Sequence, residues 1–129
     1  MTRLELATAD DGRWFRPGAE IQGTATWRLD LAPDSLEIRL FWYTAGKGTR
    51  NVEVVGSVSI ETPGNDGRRD FRLRVPEGPY AFTGRLVTLA WAIELVALPS
   101  EDTTRLDLVI GPQPVEIDIR EPRIDPSLK

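Results

Sequence analysis

The residues able to do chemistry in this chain are few and of one kind. Histidine and cysteine are both absent from its 129 residues, which removes imidazole bases, thiolate nucleophiles and the nitrogen and sulfur ligands of zinc sites. Carboxylates remain. Asp10-Asp11, Asp66 with Asp70, and Glu101-Asp102 are the sets that a hard cation or a paired acid and base would draw on. All three are expected in or beside turns, where acidic side chains suit the backbone geometry and reach water. The solvated reading takes precedence, so no catalytic residue, metal ligand or cofactor is assigned and the chain reads as a non-enzyme.

Two further clusters invite a ligand. Gly46-Lys47-Gly48-Thr49 has the look of a phosphate loop, but it lacks the earlier glycine and the following helix that such a loop requires. A hairpin turn explains its glycines better. Arg68, Arg69, Arg72 and Arg74, with Arg85 soon after, are the one basic concentration. Arg72 and Arg74 share the outward face of an expected strand and are the candidate anion-binding pair, since guanidinium forks suit carboxylates and phosphates. The competing reading is a solvated face paired across the sheet with Glu37, Glu53 or Glu94.

The elements that position these groups are strands. Apolar residues recur with period two along nearly the whole chain, and Gly or Pro punctuates the intervals, a pattern of strands and turns without helical periodicity. Ile21, Gly23, Ala25, Trp27 and Leu29 share one face; so do Leu36, Ile38, Leu40 and Trp42, then Val52, Val54, Gly56, Val58 and Ile60, with Gly56 a candidate bulge. Phe71, Leu73 and Val75 point inward, and Leu106, Leu108 and Ile110 follow, then Val115, Ile117 and Ile119. The longest strand runs from Arg85 to Leu98 behind the aromatic loop Pro79-Tyr80-Ala81-Phe82-Thr83-Gly84, with Val87, Leu89, Trp91, Ile93 and Leu95 on its core face.

The opposite face of that strand is unusual. Ala90, Ala92 and Val96, with Leu98, interrupt what alternation predicts to be polar, and Phe41 and Tyr43 stand outward on another strand. If both strands lie in one outer sheet, Phe41, Tyr43, Ala90, Ala92 and Val96 form the candidate partner-binding face. Two alternatives stand beside it: cover by the C-terminal segment with Ile124 and Leu128, or burial of the strand on both faces. Trp27, Trp42 and Trp91 keep phase with inward aliphatics and read as core; Tyr80 and Phe82 read as staples for their loop.

Composition sets the frame. A chain of this length makes one domain, expected over residues 1–120 with an irregular tail at 121–129. Apolar residues are 40% and charged residues 28%, as in soluble globular proteins. A net charge of −4 supplies no general basic surface, so nucleic acid is not expected as a partner. With neither a signal-peptide pattern nor an integral membrane segment, a cytoplasmic location is the expectation.

Three stretches carry a family likeness: Phe15-Arg16-Pro17-Gly18 followed by Ile21-Gln22-Gly23, then Leu40-Phe41-Trp42-Tyr43-Thr44, and Pro76 through Leu95. In a proline-glycine turn before an apolar-polar-glycine strand, and a proline-rich aromatic loop ahead of a long strand, the chain resembles the arrestin-like superfamily, in particular bacterial single-domain relatives of the sporulation-control type. The resemblance implies an immunoglobulin-like sandwich that binds and scaffolds proteins without catalysis; the strand pattern makes it all-β and antiparallel with about nine strands, and the apolar outer face is expected to support self-association into a homo-oligomer. One sandwich cannot carry the cleft between two lobes, so features at that junction are not transferred. The rival expectation is a carbohydrate- or small-ligand-binding sandwich presenting Tyr43 and Tyr80.

Overall fold

The computed structural model describes residues 2–46, 49–79, 81–83, 87–111 and 117–118, with the backbone alone at 49–50, 82–83, 87–88 and 117–118. Among the described residues ten strands follow in order: β1 (Arg3–Thr8), β2 (Trp14–Phe15), β3 (Glu20–Arg28), β4 (Ser35–Gly46), β5 (Thr49–Glu61), β6 (Asp66–Arg74), β7 (Phe82–Thr83), β8 (Val87–Leu98), β9 (Thr103–Ile110) and β10 (Ile117–Asp118). A 3-10 turn, Ala9–Asp11, follows β1. Among the described residues no helix is long and apolar enough to cross a membrane. The boundary expected at residue 120 and the tail with Ile124 and Leu128 lie outside the described residues.

The strands form two sheets. The smaller has the order β1-β3-β6, antiparallel throughout. The larger runs β10-β7-β8-β4-β5, with β9 on β8 and β2 on β9. Its long members, β4, β5, β8 and β9, pair antiparallel. The pairings of β2 with β9 and β10 with β7 are parallel, a departure from the expected all-antiparallel order. Each involves only two residues.

Alternation places the core between the sheets. Ile21, Ala25, Trp27, Leu36, Ile38, Leu40, Phe71, Leu73, Leu89, Trp91, Ile93, Leu95, Leu108 and Ile110 belong to one buried cluster, as the period-two reading requires. Two glycines are needed to pack it. A Cβ on Gly23 would stand 2.5 Å from the Ala7 carbonyl oxygen and 2.6 Å from Cζ of Phe71. One on Gly67 would stand 2.6 Å from Cζ2 of Trp27. The rings of Phe71 and Trp27 therefore occupy the space a side chain at Gly23 or Gly67 would need.

One strand departs from its expected phase. Leu40 pairs with Gly56 but Phe41 pairs with Val54, so Val55 is an extra residue in β5. Such a bulge turns everything beyond it to the other face of the sheet. Val58 and Ile60 keep the inward direction, while Val52 and Val54, expected inward beside them, lie on the outer face opposite Tyr43 and Phe41. The same strand was expected to bulge at its glycine, and it does so one residue before it.

Turn chemistry agrees with composition. Gly46 pairs with Thr49 across a two-residue hairpin, which leaves no helix N-terminus for a phosphate; Lys47 and Gly48 lie outside the described residues. Thr62 and Gly64 adopt φ of 52° and 77° in the β5–β6 connection. Asp10, Asp11 and Glu101 also adopt positive φ, at 56°, 54° and 67°, a conformation that aspartate tolerates better than most residues. Asp10-Asp11 and Glu101-Asp102 thus serve turns, and among the described residues no acidic group is arranged to hold a metal ion. Asp70 was expected beside a turn but stands inside β6, accepting a hydrogen bond from Thr24 Oγ1 at 2.9 Å.

Candidate functional site

The outer face of the larger sheet is set by the register of β5, β4, β8 and β9. Across it, Val54, Phe41, Ala92 and Asp107 make one row; Ser57, Arg39, Glu94 and Arg105 the next; Ser59, Glu37, Val96 and Thr103 a third. Val52, Tyr43 and Ala90 form a row on the other side of Phe41. The five residues expected to share this face do share it. They are not equally accessible: Phe41 is 7% exposed, Ala92 and Val96 are buried, and Tyr43 and Ala90 are half-buried. Phe41, Ala92 and Val96 offer no free surface, so this part of the expected partner face is internal.

Phe41, Ala92 and Val96 stand apart from the buried cluster between the sheets and form a second, thin apolar layer. Long polar side chains border it. Arg39 Nε donates to Glu37 Oε1 at 3.0 Å and Nη1 to Glu94 Oε1 at 3.4 Å. The hydrogen bond to Glu37 is the largest of the effects that hold the Arg39 guanidinium above its ordinary pKa, outweighing partial desolvation. Arg105 lies 5.3 Å above the Tyr43 ring, a cation–π distance, and the Phe41 and Tyr43 rings are 6.0 Å apart at 32°. Arginine stems cover apolar surface while their heads stay in water.

The exposed apolar surface lies at the sheet's edge. Among the described residues β5 ends the sheet, and one side of its thirteen-residue backbone pairs with no other described strand. Val52 and Val54 are 62% and 51% exposed, with Val55 beside them. They continue the Tyr43 and Phe41 rows outward. Strict alternation missed these valines. Applying a one-residue phase shift at Gly56, already marked as a bulge position, would have found them.

The arginine pair sits on the other sheet. Arg72 is opposite Gln22 and Arg74 opposite Glu20; both are exposed. Their expected partners Glu37, Glu53 and Glu94 belong to β4, β5 and β8 of the larger sheet, so that pairing does not form. Arg74 Nη1 instead donates to the Gly18 carbonyl at 3.0 Å. Arg72 shares a shallow cleft with Arg68, Gln22, Thr24 and Asp70. Carboxylates intersperse the arginines throughout: Glu20 faces Arg74, Asp66 faces Arg28, and Asp70 stands between Arg68 and Arg72. The face is mixed in sign rather than basic.

The aromatic loop is tied to the sandwich by its backbone. Trp91 Nε1 donates to the Pro79 carbonyl at 2.8 Å, and Ala81 N–H to the Ile110 carbonyl at 2.9 Å. Tyr80 and the Phe82 side chain lie outside the described residues. Trp27 and Trp91 are buried, and Trp42 packs half-buried against the core. Trp14 donates to the Gly111 carbonyl at 2.9 Å, with Arg16 5.5 Å above its ring. No tryptophan cage forms among these.

No protein-family model matches the chain, and no curated protein sequence does. Among solved structures it is similar to Spo0M, a sporulation control protein from Bacillus subtilis, with 16% identity and a TM-score of 0.60 over 87% of this chain and 50% of that one. The chain thus spans half the length of Spo0M. A β-glucosidase from Listeria innocua (11% identity, TM-score 0.47, 90% of this chain and 16% of that one) and the superoxide reductase neelaredoxin from Ignicoccus hospitalis (12%, 0.46, 85% and 82%) are also similar. Spo0M is an arrestin-fold protein. At this identity the likeness is one of fold: the chain is an all-β, arrestin-like sandwich, as the resemblance implied.

Proposed function

We propose that this chain is a non-enzymatic protein-binding or scaffold module of the cytoplasm, which self-associates through the apolar strip at the free edge of its larger sheet. The observation that carries this reading is the exposure of Val52 and Val54, at 62% and 51%, on a strand that has one unpaired side among the described residues. Exposed apolar residues on an open edge favour either strand addition or face-to-face packing with another chain. A fold shared with a sporulation control protein is compatible with a regulatory or scaffold role, though fold alone assigns none. Catalysis finds no support in a chain without histidine or cysteine whose turn carboxylates are solvated.

Size-exclusion chromatography with light scattering, run as a dilution series, tests the reading. The wild-type chain is expected to associate with increasing concentration, and Val54→Lys to remain monomeric while unfolding at an unchanged urea midpoint. A wild-type chain that stays monomeric at the highest concentration removes self-association. Saturable thermal stabilisation by a sugar across a glycan panel would replace this reading with the carbohydrate-binding one.

A further inference from the structure

At the end of the sandwich away from the Gly46 hairpin, the β3–β4 and β8–β9 connections enclose a cleft of about 570 Å³. Its apolar wall includes Leu31, Pro33, Leu98 and Pro99, and its charged wall includes Asp34 and Asp102. Every charged side chain among the described lining residues is a carboxylate. Leu31 is 84% exposed, more than any other large apolar residue described. A single exposed leucine is ordinary on a protein surface; one that rims an apolar cleft beside the carboxylates of Asp34 and Asp102 defines a chemistry.

The walls are already held in place. Asp34 N–H donates to the Leu98 carbonyl at 2.9 Å, joining the two connections, and Thr62 N–H donates to the Asp34 carbonyl at 3.2 Å. Across the β8–β9 turn, Ala97 N–H donates to the Asp102 carbonyl at 2.8 Å and Glu101 N–H to the Ala97 carbonyl at 2.7 Å. Ser100 Oγ meets Asp102 Oδ2 at 3.2 Å. A cleft built in this way loses little freedom when it is filled.

We infer that this cleft is a docking site for an extended basic segment of a partner protein, which seats one aliphatic side chain against Leu31 and Leu98 and places flanking arginine or lysine beside Asp34 and Asp102. Charge complementarity selects the occupant. A carboxylate rim repels acidic peptides, anionic lipid and nucleic acid alike, and favours a cation within reach. The aliphatic anchor removes Leu31 from water, which sets affinity, while the charges set orientation and choice of partner. This site is separate from the β5 edge and does not depend on self-association there.

The test is a titration of the ¹⁵N-labelled full chain, followed by amide shifts, with a capped pentapeptide in which one leucine stands between two arginines and glycine lies outside. Saturable shifts are expected at Leu31, Asp34, Leu98 and Ser100. Replacing the peptide leucine by serine, or Leu31→Ser in the protein, is expected to weaken binding at least about fivefold. The double variant Asp34→Asn with Asp102→Asn is expected to do the same and to remove most of the salt dependence. Leu31 is exposed and makes none of the bonds that hold the walls, so its loss leaves the fold intact. Absence of saturable shifts, shifts confined to other surfaces, or equal binding of a peptide with glutamates in place of the arginines would overturn the inference.

Discussion

The outer faces of the two sheets follow the same strand alternation and meet opposite environments. On the smaller sheet, Gln22, Thr24, Thr26 and Arg28 of β3 lie beside Arg68, Asp70, Arg72 and Arg74 of β6, and nearly all are exposed. On the larger sheet, Phe41, Ala92 and Val96 occupy equivalent outward positions and are buried. One face is a mosaic of opposite charges in water, where single side chains add little. The other is a thin second core bordered by Arg39, and its most exposed apolar side chains among the described residues are Val52 and Val54 at the β5 edge. Outward direction on a strand therefore does not settle what a residue does.

The widest separation between the faces should come from truncating a side chain on each. Phe41→Ala is expected to cost about 3 kcal/mol, near the low end for a buried phenylalanine, whereas Arg72→Ala should stay within about 0.5 kcal/mol. Urea unfolding of both variants measures this. If the two midpoints shift alike, the second apolar layer has no energetic meaning and the contrast fails.

A smaller effect tests the inner side of the small sheet, where stability depends on fit. Gly23→Ala would drive a methyl into Phe71 and the Ala7 carbonyl, and overpacking of this kind costs about 1–3 kcal/mol. Adding Phe71→Leu to Gly23→Ala should return part of the loss relative to Phe71→Leu alone. Strictly additive costs in that double-mutant cycle would show that the glycine is not there for the ring.

The smallest effect concerns Arg39 at the border of that layer. Arg39→Met keeps the apolar stem and removes the bonds to Glu37 and Glu94; at a partly exposed site the loss should be about 1 kcal/mol or less. The pKa of Arg39 is raised in the fold, so its contribution is complete below the unfolded value and is lost only as pH rises through the folded one. Both lie far above neutrality. The wild-type and Arg39→Met midpoints should therefore keep a constant difference between about pH 7 and pH 10, and a difference that fades within that window would assign the effect to another group.

Much of this was legible in the chain, and the failures have a common origin. The inward residues of β3, β4, β8 and β9 followed from period two alone, because a strand buried on one face must alternate. The Gly46–Thr49 hairpin followed from its glycines. The phase of β5 beyond Gly56 did not, since one added residue reverses every later side chain and a glycine marks only where that is allowed. The arginine pairing also failed: Glu37, Glu53 and Glu94 have the right charge, but pairing depends on which strands adjoin, and β6 adjoins β3.

By itself the sequence determined an all-β sandwich with its core faces, the absence of imidazole and thiol chemistry, and the turns that carry the acidic pairs. Those properties reside in single residues and in short-range alternation. Only the tertiary structure decided that Phe41, Ala92 and Val96 are covered, that Val52 and Val54 are exposed, and that Leu31 meets Leu98 and Asp102 across a cleft. Each of those depends on contacts between segments far apart in the chain, and no local pattern encodes which segments will meet.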